Sequence, residues 1–267
     1  VEEVLSFYNL QEDPFLITPD PDYFYPSRVH QMALDAMEYL VEKGESFLLI
    51  TGEPGTGKTL LIKAFLGKRG DLLPIVLYNP TIKPQELLNF LYRSVSRGRP
   101  SLEKVKLIEG IKASLCKRRQ GGQKVLLIVD EAQDMPDDVL LEIKHLSNLE
   151  TSKEKLLQIV LLGQPALAMR LKAPENRQLD QRISLRVELR PLEREEVRDY
   201  VLYRIRKAGS PSLGFEKGAL KLIWKRSRGI PRLINLICSR AIMVGYLKRL
   251  QVIKRECVVA ALKYLNL

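Results

Sequence analysis

The chain has 267 residues, 45% hydrophobic and 28% charged, which fits one large domain, or one domain with a smaller appendage, and excludes disordered, collagen-like and disulfide-scaffold classes. No apolar run approaches the ~20 residues that span a bilayer, the opening VEEVLSFYNL lacks the regions of a secretory signal, and Cys116, Cys238 and Cys257 have no paired spacing, which predicts buried thiols in a reducing compartment. The net charge of +11 lies entirely in residues 191–267, with 17 Lys and Arg against 6 Asp and Glu, while residues 1–190 balance at 26 and 26; such asymmetry marks a face for nucleic acid, acidic lipid or an acidic partner, or else a solvated basic face.

Residues 1–27, rich in Pro, Asp and aromatics, read as an extended, turn-filled lead-in packed on the body. Ser27 is the expected N-cap of a helix whose apolar positions are Met32, Ala33, Ala36, Met37, Leu40 and Val41, closed by Gly44. Strands are predicted at 46–51, 74–79, 124–130, 156–163 and 184–189. Helices are predicted after the first strand, from Pro84, over about 101–119, from Pro136 to about Leu149, and briefly before the fifth strand. The strands are unbroken apolar runs, so they predict a parallel five-stranded sheet covered by helices on both faces. Past Arg190 the strand signal stops and four helical stretches follow. The sequence therefore divides into an α/β domain over 1–190, with the lead-in at 1–27, and an all-helical domain over 191–267.

Gly52-Glu53-Pro54-Gly55-Thr56-Gly57-Lys58-Thr59 fits G-x-x-x-x-G-K-[ST] between a predicted buried strand and a predicted helix, where such a loop cradles phosphates. Glycines let backbone N–H groups converge on an anion, and the helix N-terminus, carried on by Leu60, adds positive partial charge. Lys58 would reach the β and γ phosphates, and Thr59 would place its hydroxyl on Mg²⁺. Asp130 and Glu131 end the third strand at the edge where a parallel sheet binds ligands, so Asp130 is the candidate metal ligand and Glu131 the candidate base for water. Gln164 ends the fourth strand on that edge. Asn79, after the second, is a weaker candidate to restrain Glu131. Arg232 opens a helix in Gly229-Ile230-Pro231-Arg232, and Arg177, Arg182 and Arg186 cluster before and within the fifth strand, where one could be offered to a neighbouring subunit's nucleotide.

These motifs together resemble the AAA+ ATPases, and within them the ExeA/GspA secretion-ATPase family, over nearly the whole chain. The lead-in Asp13-Pro14-Phe15 through Thr18-Pro19-Asp20-Pro21-Asp22-Tyr23-Phe24-Tyr25, with Ser27 and His30, is similar to that family's hallmark before the P-loop. Asp130-Glu131-Ala132-Gln133 resembles its Walker B segment and Leu162-Gly163-Gln164-Pro165 its sensor 1. Gln181-Arg182-Ile183 and Gly229-Ile230-Pro231-Arg232-Leu233-Ile234-Asn235 resemble its arginine boxes.

The resemblance implies a P-loop NTPase fold with a C-terminal helical lid, and ATP with Mg²⁺ as cofactors. It implies Gln164 as sensor 1, Arg182 as the finger, Arg232 as sensor 2, and an adenine side near Phe15 and Leu16. It implies an ATP-dependent homo-oligomer driving secretion or pilus machinery, with DNA or an acidic surface as an alternative partner of the basic lid. Members of the secretion type continue into a membrane helix and a peptidoglycan-binding region, so the sequence is read as a cytoplasmic fragment, at the inner membrane face if the natural chain continues, or as a short soluble relative. AAA+ transposition regulators share a similar core, and the +11 on residues 191–267 motivates the second reading, a DNA-associated regulator using ATP as an assembly switch. The DEAQ string by itself also matches helicases, but those need two tandem α/β domains.

Overall fold

The computed structural model describes residues 2–152, 154–210 and 212–267. Its helices in chain order are α1 (Glu2–Phe7), α2 (Arg28–Lys43), α3 (Lys58–Leu66), α4 (Pro84–Val95), α5 (Lys104–Gln120), α6 (Asp137–Leu146), α7 (Pro165–Leu171), α8 (Arg177–Asp180), α9 (Arg194–Lys207), α10 (Lys217–Ser227), α11 (Pro231–Leu247) and α12 (Arg255–Leu265). The strands are β1 (Phe47–Gly52), β2 (Leu72–Leu77), β3 (Lys124–Val129), β4 (Gln158–Gly163), β5 (Ile183–Leu189), β6 (Gly214–Phe215) and β7 (Val252–Ile253).

Strands β1 to β5 form one parallel sheet in the order β2-β3-β4-β1-β5. Every residue of β1 and β4 is buried, as expected where helices cover both faces of a central strand. The edge strands differ: β5 exposes Ser184, Arg186 and Glu188, and β2 accommodates Pro74, which a central strand would not. Because the strands are parallel, the chain leaves β3 and β4 at one edge, delivering Asp130, Glu131 and Gln164 there.

By compactness the residues fall into two units. One comprises Arg28–Gly52 and Ile62–Leu189 and holds the sheet. The other gathers Val1–Ser27, Glu53–Leu61 and Arg190–Leu267. The sequence expectation cut the chain once near 190; the units share that cut but group the lead-in and the phosphate loop with the C-terminal helices. In that second unit Tyr8, Phe15 and Tyr23 of the lead-in are buried in a common core with Val197, Ile205, Ile234 and Cys238.

Two expectations need correction here. The lead-in is not extended throughout, since Glu2–Phe7 is helical. The C-terminal part is not all-helical, since β6 and β7 pair in parallel, Gly214 with Val252 and Phe215 with Ile253. Each strand is two residues long, too short to show a period. Cys238 and Cys257 are fully buried, whereas Cys116 is partly exposed. Burial pushes the Cys238 thiol far above its usual range. Among the described residues no helix is long and apolar enough to cross a membrane.

Candidate functional site

The phosphate loop closes on its own backbone. Gly55 and Gly57 take φ of +84° and +100°, which only glycine adopts without strain. Thr56 donates its backbone N–H and its Oγ1 hydroxyl to the Glu53 carbonyl, at 3.2 and 2.8 Å. Lys58 Nζ donates to the same carbonyl at 3.3 Å, and Lys58 is only 6% exposed. A lysine ammonium at this position can make a charge-assisted hydrogen bond to an anion at the loop. The N–H of Leu61 bonds the Gly57 carbonyl at 2.8 Å, so α3 starts directly on the loop with its first amides directed out of its N-terminus.

The start of α11 fixes the other side of the same loop. The Arg232 N–H donates to the Gly55 carbonyl at 3.3 Å, and a Cβ built on Gly55 would lie 2.8 Å from Arg232 Cβ. The turn before α11 depends on Gly229, whose φ is +75° and whose Cβ would stand 2.1 Å from the Leu192 carbonyl oxygen. The Leu192 N–H in turn bonds the Gly229 carbonyl at 2.8 Å. The glycines thus leave a cradle that a single methyl would fill, lined by amides, a lysine and an arginine. That donor set fits a polyphosphate.

On the sheet unit, Asp130 is buried, with Oδ1 accepting the Glu131 N–H at 3.0 Å. Glu131 has left-handed backbone, φ +50° and ψ +41°, a conformation of the kind that gathers at functional sites. Its Oε2 accepts from Gln133 Nε2 at 2.7 Å, while Gln133 Oε1 accepts the Gln164 N–H at 3.0 Å. One side-chain amide therefore joins the candidate base to the backbone of the candidate sensor. Arg170 holds the Gln133 carbonyl at 3.2 Å and pairs with Asp137. Asn79 is used locally, its Oδ1 accepting the Thr81 N–H at 3.1 Å.

The three clustered arginines differ. Arg182 donates to the Lys144 carbonyl at 3.3 Å, Ser147 Oγ at 2.8 Å and Asn148 Oδ1 at 2.5 Å, capping the C-terminus of α6. Arg186 pairs with Asp180 at 2.8 Å. Arg177 is exposed, and its side chain has no polar partner among the described residues. Phe15, near which the resemblance places the adenine side, is 1% exposed and packs edge-to-face on Phe215, with Leu16 beside it at 52% exposure.

Sequence reasoning missed Arg204. It is 4% exposed, donates Nε to the Pro14 carbonyl at 2.5 Å and an amino group to Tyr200 OH at 2.8 Å, and lies 4.7 Å from the Tyr23 ring centroid. Tyr200 OH donates to Asn235 Oδ1 at 2.7 Å. Burial raises the Tyr200 phenol above its ordinary pKa, so it stays neutral as donor and acceptor in this chain of bonds. The lead-in is thereby pinned to α9 and α11. No local pattern marks Arg204, and only its place on the buried face of α9 distinguishes it.

Comparison with known proteins agrees with this geometry. The model of the AAA domain family matches residues 41–171. General secretion pathway protein A of Aeromonas hydrophila is 38% identical over 243 residues, which take in 90% of this chain and 44% of that protein. The chain thus spans less than half the length of that curated relative. Among solved structures, Drosophila ORC bound to DNA superposes with a TM-score of 0.71 at 17% identity, covering 99% of this chain and 66% of that one. Cdc6p of Pyrobaculum aerophilum gives 0.64 at 19%, covering 92% and 71%. The RuvB Holliday junction branch migration motor of Thermotoga maritima gives 0.59 at 17%, covering 89% and 68%. At these identities the likeness establishes the fold.

Proposed function

The chain is an AAA-domain protein similar to general secretion pathway protein A, and on that premise we propose that it is a Mg²⁺-dependent ATPase that oligomerises with nucleotide and drives assembly of secretion or envelope machinery. The observation that carries the reading is the cradle at Gly55, where a positive-φ glycine, a buried Lys58 and the start of α11 converge. The bound magnesium nucleotide supplies the phosphoanhydride bond to be cleaved and a divalent charge that offsets charge building on the phosphates.

The backbone N–H groups of residues 53–60, Pro54 excepted, bind the phosphates, and Lys58 adds a point charge. The Thr59 hydroxyl and the Asp130 carboxylate are the groups that would hold the metal. Glu131 takes the proton of the attacking water on Oε1 while Gln133 keeps Oε2 in place. Gln164 senses the γ-phosphate from the end of β4, and Arg232 reaches the phosphates from α11. Of the three arginines considered for an intermolecular finger, Arg177 suits the role better than Arg182, because Arg182 already caps α6 in its own chain.

The test is Glu131→Gln. The variant should bind ATP as the parent does and release no phosphate. Turnover at the parent rate would remove Glu131 as the base.

A further inference from the structure

We propose that the outer face of α10 is a binding surface for single-stranded nucleic acid, on which Lys217, Lys221, Lys225 and Arg228 grip phosphates and Trp224 stacks on an unpaired base. Lys217, Lys221, Trp224 and Lys225 recur at helical spacing, so they share one stripe on the solvent side of α10, and Arg228 follows as the exposed residue that closes the helix. The opposite side, with Ala219 and Ile223, is in the core. Arg255 lies beside Gly218, its Cβ and Cδ 3.8 Å from where a Cβ on that glycine would be, which extends the positive row.

Some cations of the chain are answered within it, Arg69 by Asp71, Lys104 by Glu142 and Lys248 by Glu256. On α10 none of the four cations has a hydrogen-bond or ion-pair partner among the described residues, and the helix contains no acidic residue. The unanswered lysines from Lys217 to Lys225 make a row about 12 Å long, continued by Arg228 and long enough for the backbone of a few nucleotides. A half-open indole in that row supplies the aromatic platform that non-specific single-strand binders use. An anionic membrane fits less well. Interfacial helices hold on by the apolar area they insert, and this face offers Trp224 alone because the other apolar residues of α10 pack into or against the core.

Trp224 is the sole tryptophan of the chain, so intrinsic fluorescence reads the site directly. The full chain is titrated without nucleotide against a 20-residue oligothymidylate, and separately against phosphatidylserine vesicles, at salt from about 50 to 200 mM. The proposal expects saturable quenching by the oligonucleotide and a log-affinity against log-salt slope near −3, from about 0.7 per phosphate contact. It expects affinity to fall at least about tenfold, with a shallower slope, in K221E/K225E. Trp224→Phe, followed by anisotropy of labelled oligonucleotide, should weaken binding a few-fold and leave the slope unchanged. No binding at about 50 mM salt, parent affinity in K221E/K225E, or quenching by vesicles but not by oligonucleotide would each overturn it. Because no nucleotide is present, a failed ATPase assignment would not alter this result.

Discussion

Arg232 bonds its backbone N–H to the carbonyl of Gly55 at 3.3 Å, and its Cβ stands 2.8 Å from where a methyl on Gly55 would sit. An alanine at 55 would have to hold φ near +84° and push α11 off the loop at once. Gly55→Ala should therefore lower nucleotide affinity at least about tenfold while the protein stays folded. Arg232→Ala keeps the N–H and should mainly lower turnover. Titration with a fluorescent ATP analogue, beside circular dichroism, checks both.

Gln133 is a positioning residue, since its amide holds the candidate base Glu131. Removing its amide frees Glu131 Oε2 and leaves the Gln164 N–H without this acceptor. Gln133→Ala should reduce kcat about 10- to 100-fold with little change in KM or in thermal midpoint. A matching fall in thermal stability, with kcat preserved, would show that the bridge is structural.

Arg177 and Arg182 should separate in an assay of turnover against nucleotide affinity. Arg177→Ala should slow turnover by orders of magnitude and leave ATP binding by the single chain intact. Arg182→Ala loses a helix cap and should lower stability by about 1 kcal/mol. If Arg182→Ala folds as stably as the parent yet loses turnover, the finger role passes to Arg182.

Arg204→Leu leaves the Pro14 carbonyl without its donor and breaks the chain to Tyr200 and Asn235. Urea unfolding should show a loss of about 2–4 kcal/mol. Trypsin should then cut the lead-in at Arg28 faster than in the parent.

Acid stability follows from Arg69, which donates to Asp71 and pairs with Glu38 and Glu42. The hydrogen bond from Arg69 holds the Asp71 carboxyl below its ordinary pKa. A lowered folded-state pKa gives stability that is present above the unfolded value, about 3.9, and is lost as pH falls through the folded one. Asp71→Asn should thus melt below the parent at pH 7, and the two melting curves should merge as pH falls through the lowered folded-state pKa of Asp71.

The phosphate loop and the Asp130-Glu131 pair were legible in the sequence because their chemistry is local: contiguous glycines, one lysine and a strand ending in carboxylates. The sheet was legible because its central strands are buried on both faces. What could not be read depends on distant backbone. Arg204 meets the carbonyl of Pro14, 190 positions away, and carbonyls leave no mark on a residue pattern. Gln133 finds the Gln164 N–H only because β3 and β4 are neighbours. The packing of Phe15 on Phe215 is likewise a tertiary contact that no local pattern marks. The start of β2 at Leu72 was missed because Pro74 looked like a strand's first residue, whereas an edge strand takes it internally.

Titration calorimetry with ATP and Mg²⁺ tests the central claim most directly. The parent chain should bind one nucleotide with saturable heat, and Lys58→Ala should lose that binding. No heat from the folded parent, or the same affinity in Lys58→Ala, would contradict it.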